Sequence, residues 1–453
     1  MTVDAYTPDS GDASLQIDHY DLEIEYRVAT NRLSGTAVIS GRTVAPTKTL
    51  SFDLVGLRAS RVRVDGDAGA GFRQSVKKLK IKLTTEREAG AEFRVTVAYS
   101  GAPRPRRTRW GLLGWEELED GALVASQPTG APTWFPCNDV PSDKATYRVL
   151  LTTEQGYTAV LGGHGTTSSK RGRPTWEFVL DTPTPTYLVS PQIGRYTTRT
   201  LSLGSVPGRL HHARSLTARA RADLAPLAQM MAVFEEAFGP YPLPDYQVVV
   251  TADELEIPLE GQGMGIFGSN HIDGAGGSER LVAHELAHQW FGNSVGVARW
   301  QDIWLNEGFA CYAEWIWSEA SGGPTAHAKA LAHHGRLRSL PQDLVLADPG
   351  PADMFDDRVY KRGALAVHAL RLTLGDTAFF ALLRTWTERH AHGTATTEDL
   401  LALVADEWGS GVVGVLRPWL YSRALPDLPA VAGDDGVAAP ITAPLPRVGR
   451  GPR

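Results

Sequence analysis

The chain has 453 residues, 42% of them hydrophobic and 21% charged, which is close to globular averages and excludes collagen, coiled coil and bulk disorder. Its 45 basic and 51 acidic residues give a net charge of -6, which offers no electrostatic reason to bind a polyanion, so no nucleic-acid partner is expected. Two cysteines, Cys137 and Cys311, are too few to staple a chain of this size, so the fold must rest on its core and is compatible with a reducing compartment. The first residues carry neither the basic nor the apolar region of a secretory signal, and no segment approaches about 18 uninterrupted apolar residues. The expectation is a cytoplasmic protein with no membrane partner; its oligomeric state is left open, a monomer being compatible with everything seen.

The length predicts two or three structural units. Residues 1–205 read as an antiparallel β domain, because apolar and polar side chains alternate in short runs punctuated by Gly, Pro, Asp and Ser. Tyr20, Leu22, Ile24, Tyr26 and Val28 form one such face; Leu79 to Leu83 and Phe93 to Tyr99 repeat the pattern. The cluster Arg104, Arg106, Arg107 and Arg109 reads as a solvated loop. From about Ser215 the period becomes helical, with a first helix over 216–238 that stops at Gly239-Pro240. A short strand at 246–250 follows, then helices at 279–291, 302–321, 360–374, 376–391 and 397–407. The fold class is therefore α+β and multidomain, with a mainly helical second domain over 206–430 and a Pro- and Gly-rich tail over 431–453 that is expected to be flexible.

His284-Glu285-Leu286-Ala287-His288 lies within a helix-compatible run, so the two imidazoles sit four residues apart on one face and reach a single ion. A catalytic zinc site takes three protein ligands and keeps one position open. Eighteen residues separate His288 from Glu307, which lies near the start of the next predicted helix and is the candidate third ligand. The pairs His211-His212 and His333-His334 lack an acidic or Cys partner at ligand spacing and read as surface or helix-side residues. Trp300, Trp304, Trp315 and Trp317 read as packing.

The unbroken His-Glu-x-x-His, 18 residues, Glu pattern resembles the zinc aminopeptidases of the aminopeptidase N family. Gln289-Trp290-Phe291-Gly292-Asn293 and Trp304-Leu305-Asn306-Glu307-Gly308-Phe309-Ala310 are similar to that family as well. The resemblance implies a saddle-like N-terminal β domain, a thermolysin-like catalytic domain and one zinc ion held by His284, His288 and Glu307. It also implies that Glu285 activates the attacking water, and that Glu314, two turns beyond Glu307, supports a ligand imidazole. Cys311 shares that face and reads as a small buried residue, since a thiolate ligand would close the site.

Val359-Tyr360-Lys361-Arg362-Gly363-Ala364 resembles the family segment whose Tyr stabilises the oxyanion, with Arg362 where Lys is usual; Tyr360 is the candidate. Pro258-Leu259-Glu260-Gly261 resembles the segment that binds the substrate α-ammonium group, with a competing alignment on Gly263-Met264-Gly265 that would lose the carboxylate. Ser126-Gln127-Pro128-Thr129 resembles the family's Gln-x-Glu, so Gln127 is a candidate substrate contact, while Thr129 replaces a second anion. The run Trp134-Phe135-Pro136-Cys137-Asn138-Asp139 completes the likeness.

The implied function is a zinc-dependent aminopeptidase of short, two-domain form acting on peptides. The alternatives are an oligo- or endopeptidase of the same fold, which Thr129 and a more open cleft would favour, and a non-catalytic peptide-binding zinc protein, which would have lost Glu285 or Tyr360. The related leukotriene hydrolase branch carries a Tyr five residues before its catalytic Tyr, where this chain has Phe355.

Overall fold

A computed structural model describes residues 3–430, so the tail expected at 431–453 lies outside the described residues. The N-terminal unit is built on a seven-stranded sheet in the order His164–Lys170, Arg173–Thr184, Ala145–Thr152, Leu15–Arg27, Arg32–Thr43, Glu92–Gly101 and Arg58–Val64. All its pairings are antiparallel except that between Leu15–Arg27 and Ala145–Thr152, which run parallel. In Leu15–Arg27 the buried side chains are Leu15, Ile17, Tyr20, Leu22, Ile24 and Tyr26. The break in strict alternation falls where the register shifts between Ile17 and His19, a bulge that carries one extra residue.

A three-stranded sheet, Thr47–Asp53, Lys78–Arg87 and Gly71–Gln74, shares a core with the large sheet. A five-stranded sheet includes the hairpin Arg106–Thr108 and Gly111–Leu118, followed by Gly121–Ala125. The 134–139 run is core of this unit: Phe135 meets the edge of Tyr20 at 5.4 Å, and Tyr20 stacks on Tyr147 at 5.0 Å.

The second unit begins with its own five-stranded sheet, in the order Tyr196–Leu203, Val206–Ala213, Tyr246–Val250, Met264–Phe267 and Leu259–Gly261. The hairpin of its first two strands straddles the 205/206 division expected from the change of period, because that change marks the first helix and not the strands before it. The last strand is an antiparallel edge that sets Glu260 opposite Gly265.

The helices of this unit are α1 (Thr217–Asp223), α2 (Leu227–Phe238), α3 (Glu279–Ala287), α4 (Trp304–Ala320), α5 (Ala326–Arg338), α6 (Asp357–Leu374), α7 (Asp376–Arg389), α8 (Thr397–Trp408) and α9 (Ser410–Tyr421). The single helix expected over 216–238 is split at Leu224-Ala225-Pro226, since proline lacks the amide that an interior turn needs. Among the described residues no helix is long and apolar enough to cross a membrane.

His211 and His212 are not on the surface. They lie buried in Val206–Ala213, where His211 bridges Thr198 Oγ1 and Gln247 Oε1 and so spends its polarity inside the sheet. His333 and His334 lie on α5; His334 is buried against the Pro426 carbonyl. Trp300, Trp304, Trp315 and Trp317 are all core.

Candidate metal centre and its cleft

Helix α3 ends at Ala287, but His288 at its C-cap keeps helical angles, so His284 and His288 remain one turn apart with ring centroids 4.7 Å from each other. Glu307 lies on the first turn of α4, and its Oε2 is 3.5 Å from His284 Nε2 and 3.4 Å from His288 Nε2. Ligand atoms at the usual zinc distances on a tetrahedron stand about 3.3 Å apart. The other ring nitrogens are committed: His284 Nδ1 donates to Glu314 Oε1 at 2.9 Å, and His288 Nδ1 donates to the Phe291 carbonyl at 3.0 Å. Both Nε2 atoms therefore face the Glu307 carboxylate, an arrangement that needs positive charge at the site, either a proton on each ring or a metal ion between them.

The electrostatics say the same. Burial disfavours charge on either ring, but Glu307 and Glu314 outweigh it at His284 and hold its pKa at about 9; Glu307 and Glu260 do so at His288, at about 10. Burial also opposes charge on Glu307, yet the two histidines bring its pKa down to about 2. The buried cluster accepts positive charge, as two protons or as one divalent metal, and the donor set of two imidazoles and a carboxylate fits zinc.

Around this centre lies a cavity of about 480 Å³. Glu285 lines it, and its Oε2 is buried without a partner. Burial, opposed by both histidines and aided by Glu260, pushes the Glu285 carboxyl up to about 7. The carboxylates of Glu260 and Glu285 and a ring nitrogen of His288 all lie within 4.8 Å of one another. Glu260 accepts a hydrogen bond from Gln127 Nε2 at 2.8 Å, which joins the two units at the cleft. Glu260 rather than the Gly263-Met264-Gly265 segment thus faces the site; Met264 packs in a small separate core with Val249 and Ile266. Thr129 is buried, and the cleft lining does not include it. Tyr360 lines the cleft with its ring 6.1 Å from that of His284. Phe355 lies beside Trp110, whose Nε1 donates to the Pro351 carbonyl and ties the 106–118 hairpin over the cleft.

Several residues that hold this geometry carry no signal in the sequence by themselves. Gln289 Oε1 accepts from the Gly263 amide at 3.0 Å, and Asn293 Nδ2 donates to the Gly261 carbonyl at 2.7 Å, so the end of α3 grips the turn behind Glu260. Arg362 points away from the cleft and donates to the carbonyls of Leu344, Trp419 and Arg423, anchoring the chain at the end of α9. Its departure from the usual Lys is therefore structural. Cys311 is buried against Lys361 Nζ at 3.2 Å and is not among the residues whose ligand atoms cluster at the centre.

The orientation of α4 against α6, and with it of Glu307 against Tyr360, depends on a glycine pair. A Cβ on Gly308 would stand 2.8 Å from Gly363 Cα, and one on Gly363 would stand 2.7 Å from Gly308 Cα. Overpacking of this kind costs about 1–3 kcal/mol. Gly363→Ala is expected to lower the melting temperature by a few degrees and to reduce kcat/KM by about tenfold or more through displacement of Tyr360. Thermal unfolding and steady-state kinetics on one preparation check both.

Residues 16–188 match the Peptidase M1 N-terminal domain and residues 223–419 match the Peptidase family M1 domain. The M1 zinc metallopeptidase of Deinococcus radiodurans superposes with a TM-score of 0.87 at 32% identity, over 95% of this chain and 100% of that one. The chain belongs to peptidase family M1. The M1 likeness extends to Aminopeptidase M1-A of Oryza sativa subsp. japonica, 28% identical over 68% of this chain, and to Endoplasmic reticulum aminopeptidase 1 of Homo sapiens, 26% identical over 84% of it. The chain covers 38% and 44% of those two relatives' own lengths. A mutant of a two-domain M1 zinc metallopeptidase has been solved with L-arginine bound, and a mutant of the Deinococcus radiodurans enzyme with a Tyr-Ser-Ala substrate. Yeast LTA4 hydrolase shares the fold at 20% identity, with a TM-score of 0.78. M1 membership implies zinc, in agreement with the donor set.

Proposed function

We propose that this chain is a zinc-dependent aminopeptidase that removes N-terminal residues from peptides, with one zinc ion per chain held by His284, His288 and Glu307. The single observation that carries the reading is Glu260: a half-buried carboxylate, oriented by Gln127 and within 4.8 Å of Glu285 and His288, where a substrate α-ammonium group would supply the missing charge. Zinc, when bound, polarises the scissile carbonyl and lowers the pKa of water. Glu285 takes the proton of the attacking water at its unpartnered Oε2 and returns it to the leaving nitrogen. Tyr360 donates its hydroxyl to the developing oxyanion. Burial first, and the carboxylates around it next, push the Tyr360 hydroxyl well above its usual pKa, so it keeps the proton that this role needs. Glu314 fixes the tautomer of His284 and acts through it. Gln127 contributes a hydrogen bond near the amine and holds Glu260 in place.

An aminopeptidase built this way hydrolyses free aminoacyl fluorogenic substrates and loses nearly all activity on their N-acetylated forms, whereas an endopeptidase cleaves acetylated peptides. Equal rates on the two would overturn the reading, as would full activity in the presence of a chelator. Glu260→Gln is expected to lower kcat/KM on the free amine by about 10- to 100-fold, the worth of one buried charge-assisted hydrogen bond. The acetylated substrate should change little, and steady-state kinetics on the pair checks this.

A further inference from the structure

The cleft runs along α3. Glu260 stands beside His288 at the C-terminal end of that helix, and Arg280, one turn before His284, marks the other end, about 12 Å away at the rise of an α-helix. There Arg280, Glu314, Asp357 and Lys361 form the cleft wall, and the same four residues line a second cavity of about 520 Å³. The two cavities adjoin at these four side chains, so the second space lies beyond Arg280 from the metal centre. A peptide with its amine at Glu260 has its leaving portion directed there, and about four extended residues span the distance.

The far side of the second cavity is a face of α5. Lys329, His333 and Arg336, spaced by four and then three residues, share that face. The His333 ring lies flat on Trp315 of α4, 5.3 Å apart with 4° between the planes. Helix α5 carries no Asp or Glu at all. The carboxylates lining the cavity are Glu314, taken by His284 Nδ1 and Arg280; Glu279, which accepts from Trp317 Nε1 at 2.6 Å; and Asp357 at the cleft end. Lys361 Nζ contacts Cys311 Sγ. Among the described residues, Lys329 and Arg336 have no carboxylate within 4 Å. Two cations thus face an open polar cavity with no anion assigned to them, at the place where the far end of a bound peptide arrives.

We propose that this second cavity receives the carboxylate of the leaving peptide, held by Lys329 and Arg336, so that short peptides with a free C-terminal carboxylate are preferred substrates. The inference rests on the aminopeptidase reading, which fixes the direction in which the substrate lies.

The test compares Leu-Gly-Gly-Gly-Gly, long enough to pass Arg280, with its C-terminal amide in the zinc-loaded wild type and in Lys329→Gln/Arg336→Gln, with leucine p-nitroanilide on the wild type as a substrate that has no carboxylate. The wild type is expected to favour the free acid over the amide by about tenfold in kcat/KM, and the double variant by less than about twofold. The acid-to-amide ratio is internal to each protein, so a general loss of activity in the variant does not affect it. A third peptide, Leu-Gly-Gly-Gly-Glu amide, separates the sources of the carboxylate: cleavage as slow as that of Leu-Gly-Gly-Gly-Gly amide places the recognised group at the chain terminus, and faster cleavage extends the same site to acidic side chains. Hydrolysis of the anilide with no acid preference in the wild type, or a preference that survives in the double variant, overturns the carboxylate site alone. Failure to hydrolyse the anilide overturns the aminopeptidase reading itself.

Discussion

Glu285→Gln is expected to reduce kcat by about three to four orders of magnitude while leaving the fold and the metal content unchanged. The amide is nearly isosteric with the carboxylate and keeps a polar atom where Oε2 now lies unpartnered, so neither a cavity nor a charge imbalance disturbs α3. What it removes is a carboxylate beside the metal centre whose Oε2 is not committed to any partner. Glu307 faces both imidazoles, Glu314 holds His284, and Glu260 accepts from Gln127. No neighbouring carboxylate can therefore take over proton transfer without abandoning a partner. Metal analysis of the purified variant beside its turnover rate checks the prediction; wild-type turnover would sink the mechanism, and loss of metal would show that Glu285 has a structural part.

Removal of the metal has the other large effect. In the absence of zinc the site must bury the carboxylates of Glu260, Glu285 and Glu307 with only two imidazoles, and burial disfavours charge on every member of the group. Occupied at a thousandfold excess over its dissociation constant, a metal that binds only the folded chain stabilises it by about 4 kcal/mol. Chelation is therefore expected to lower the melting temperature by several degrees and to abolish activity, and zinc should restore both. His288→Ala should reproduce the loss of activity and should no longer respond to zinc, because two ligands do not hold a catalytic zinc at its usual geometry. Calorimetry with and without chelator, run on both proteins, separates this from a general destabilisation: a zinc-dependent shift that persisted in the variant would place the metal elsewhere.

The metal centre was legible because its physics is local. Two histidines four residues apart on one helix must share a face, and a carboxylate on the first turn of the next helix has a short path back to them. Tyr360 and Glu260 are candidates only through resemblance. Glu260 sits on a three-residue edge strand, too short to show alternation, and its position depends on Gln289 and Asn293 gripping the turn behind it. Contacts of that kind join segments about thirty residues apart and leave no period in the sequence.

Helix α5 escaped for a related reason. Its buried face is Ala326, Ala330, His334 and Leu337, so the stripe that would mark it is made largely of alanine and histidine. Helix α9 contains Gly411, Gly414 and Pro418, residues that argue against a helix locally, yet its far end is held by the carbonyl contacts of Arg362. The Gly308 and Gly363 pair was visible in both motifs, but the reason for it, backbone against backbone where α4 crosses α6, appears only when the helices are packed.

The central claim is that a peptide lies with its amine on Glu260 and its scissile carbonyl over the His284, His288 and Glu307 centre. A crystal structure of zinc-loaded Glu285→Gln with Leu-Gly-Gly-Gly-Gly tests it directly. The α-ammonium nitrogen is predicted within hydrogen-bond reach of Glu260, at about 3 Å, with the metal on the three named ligands and the C-terminus directed past Arg280. A peptide that extends on both sides of the metal with residues beyond Glu260, or a metal bound outside these three side chains, would contradict the account.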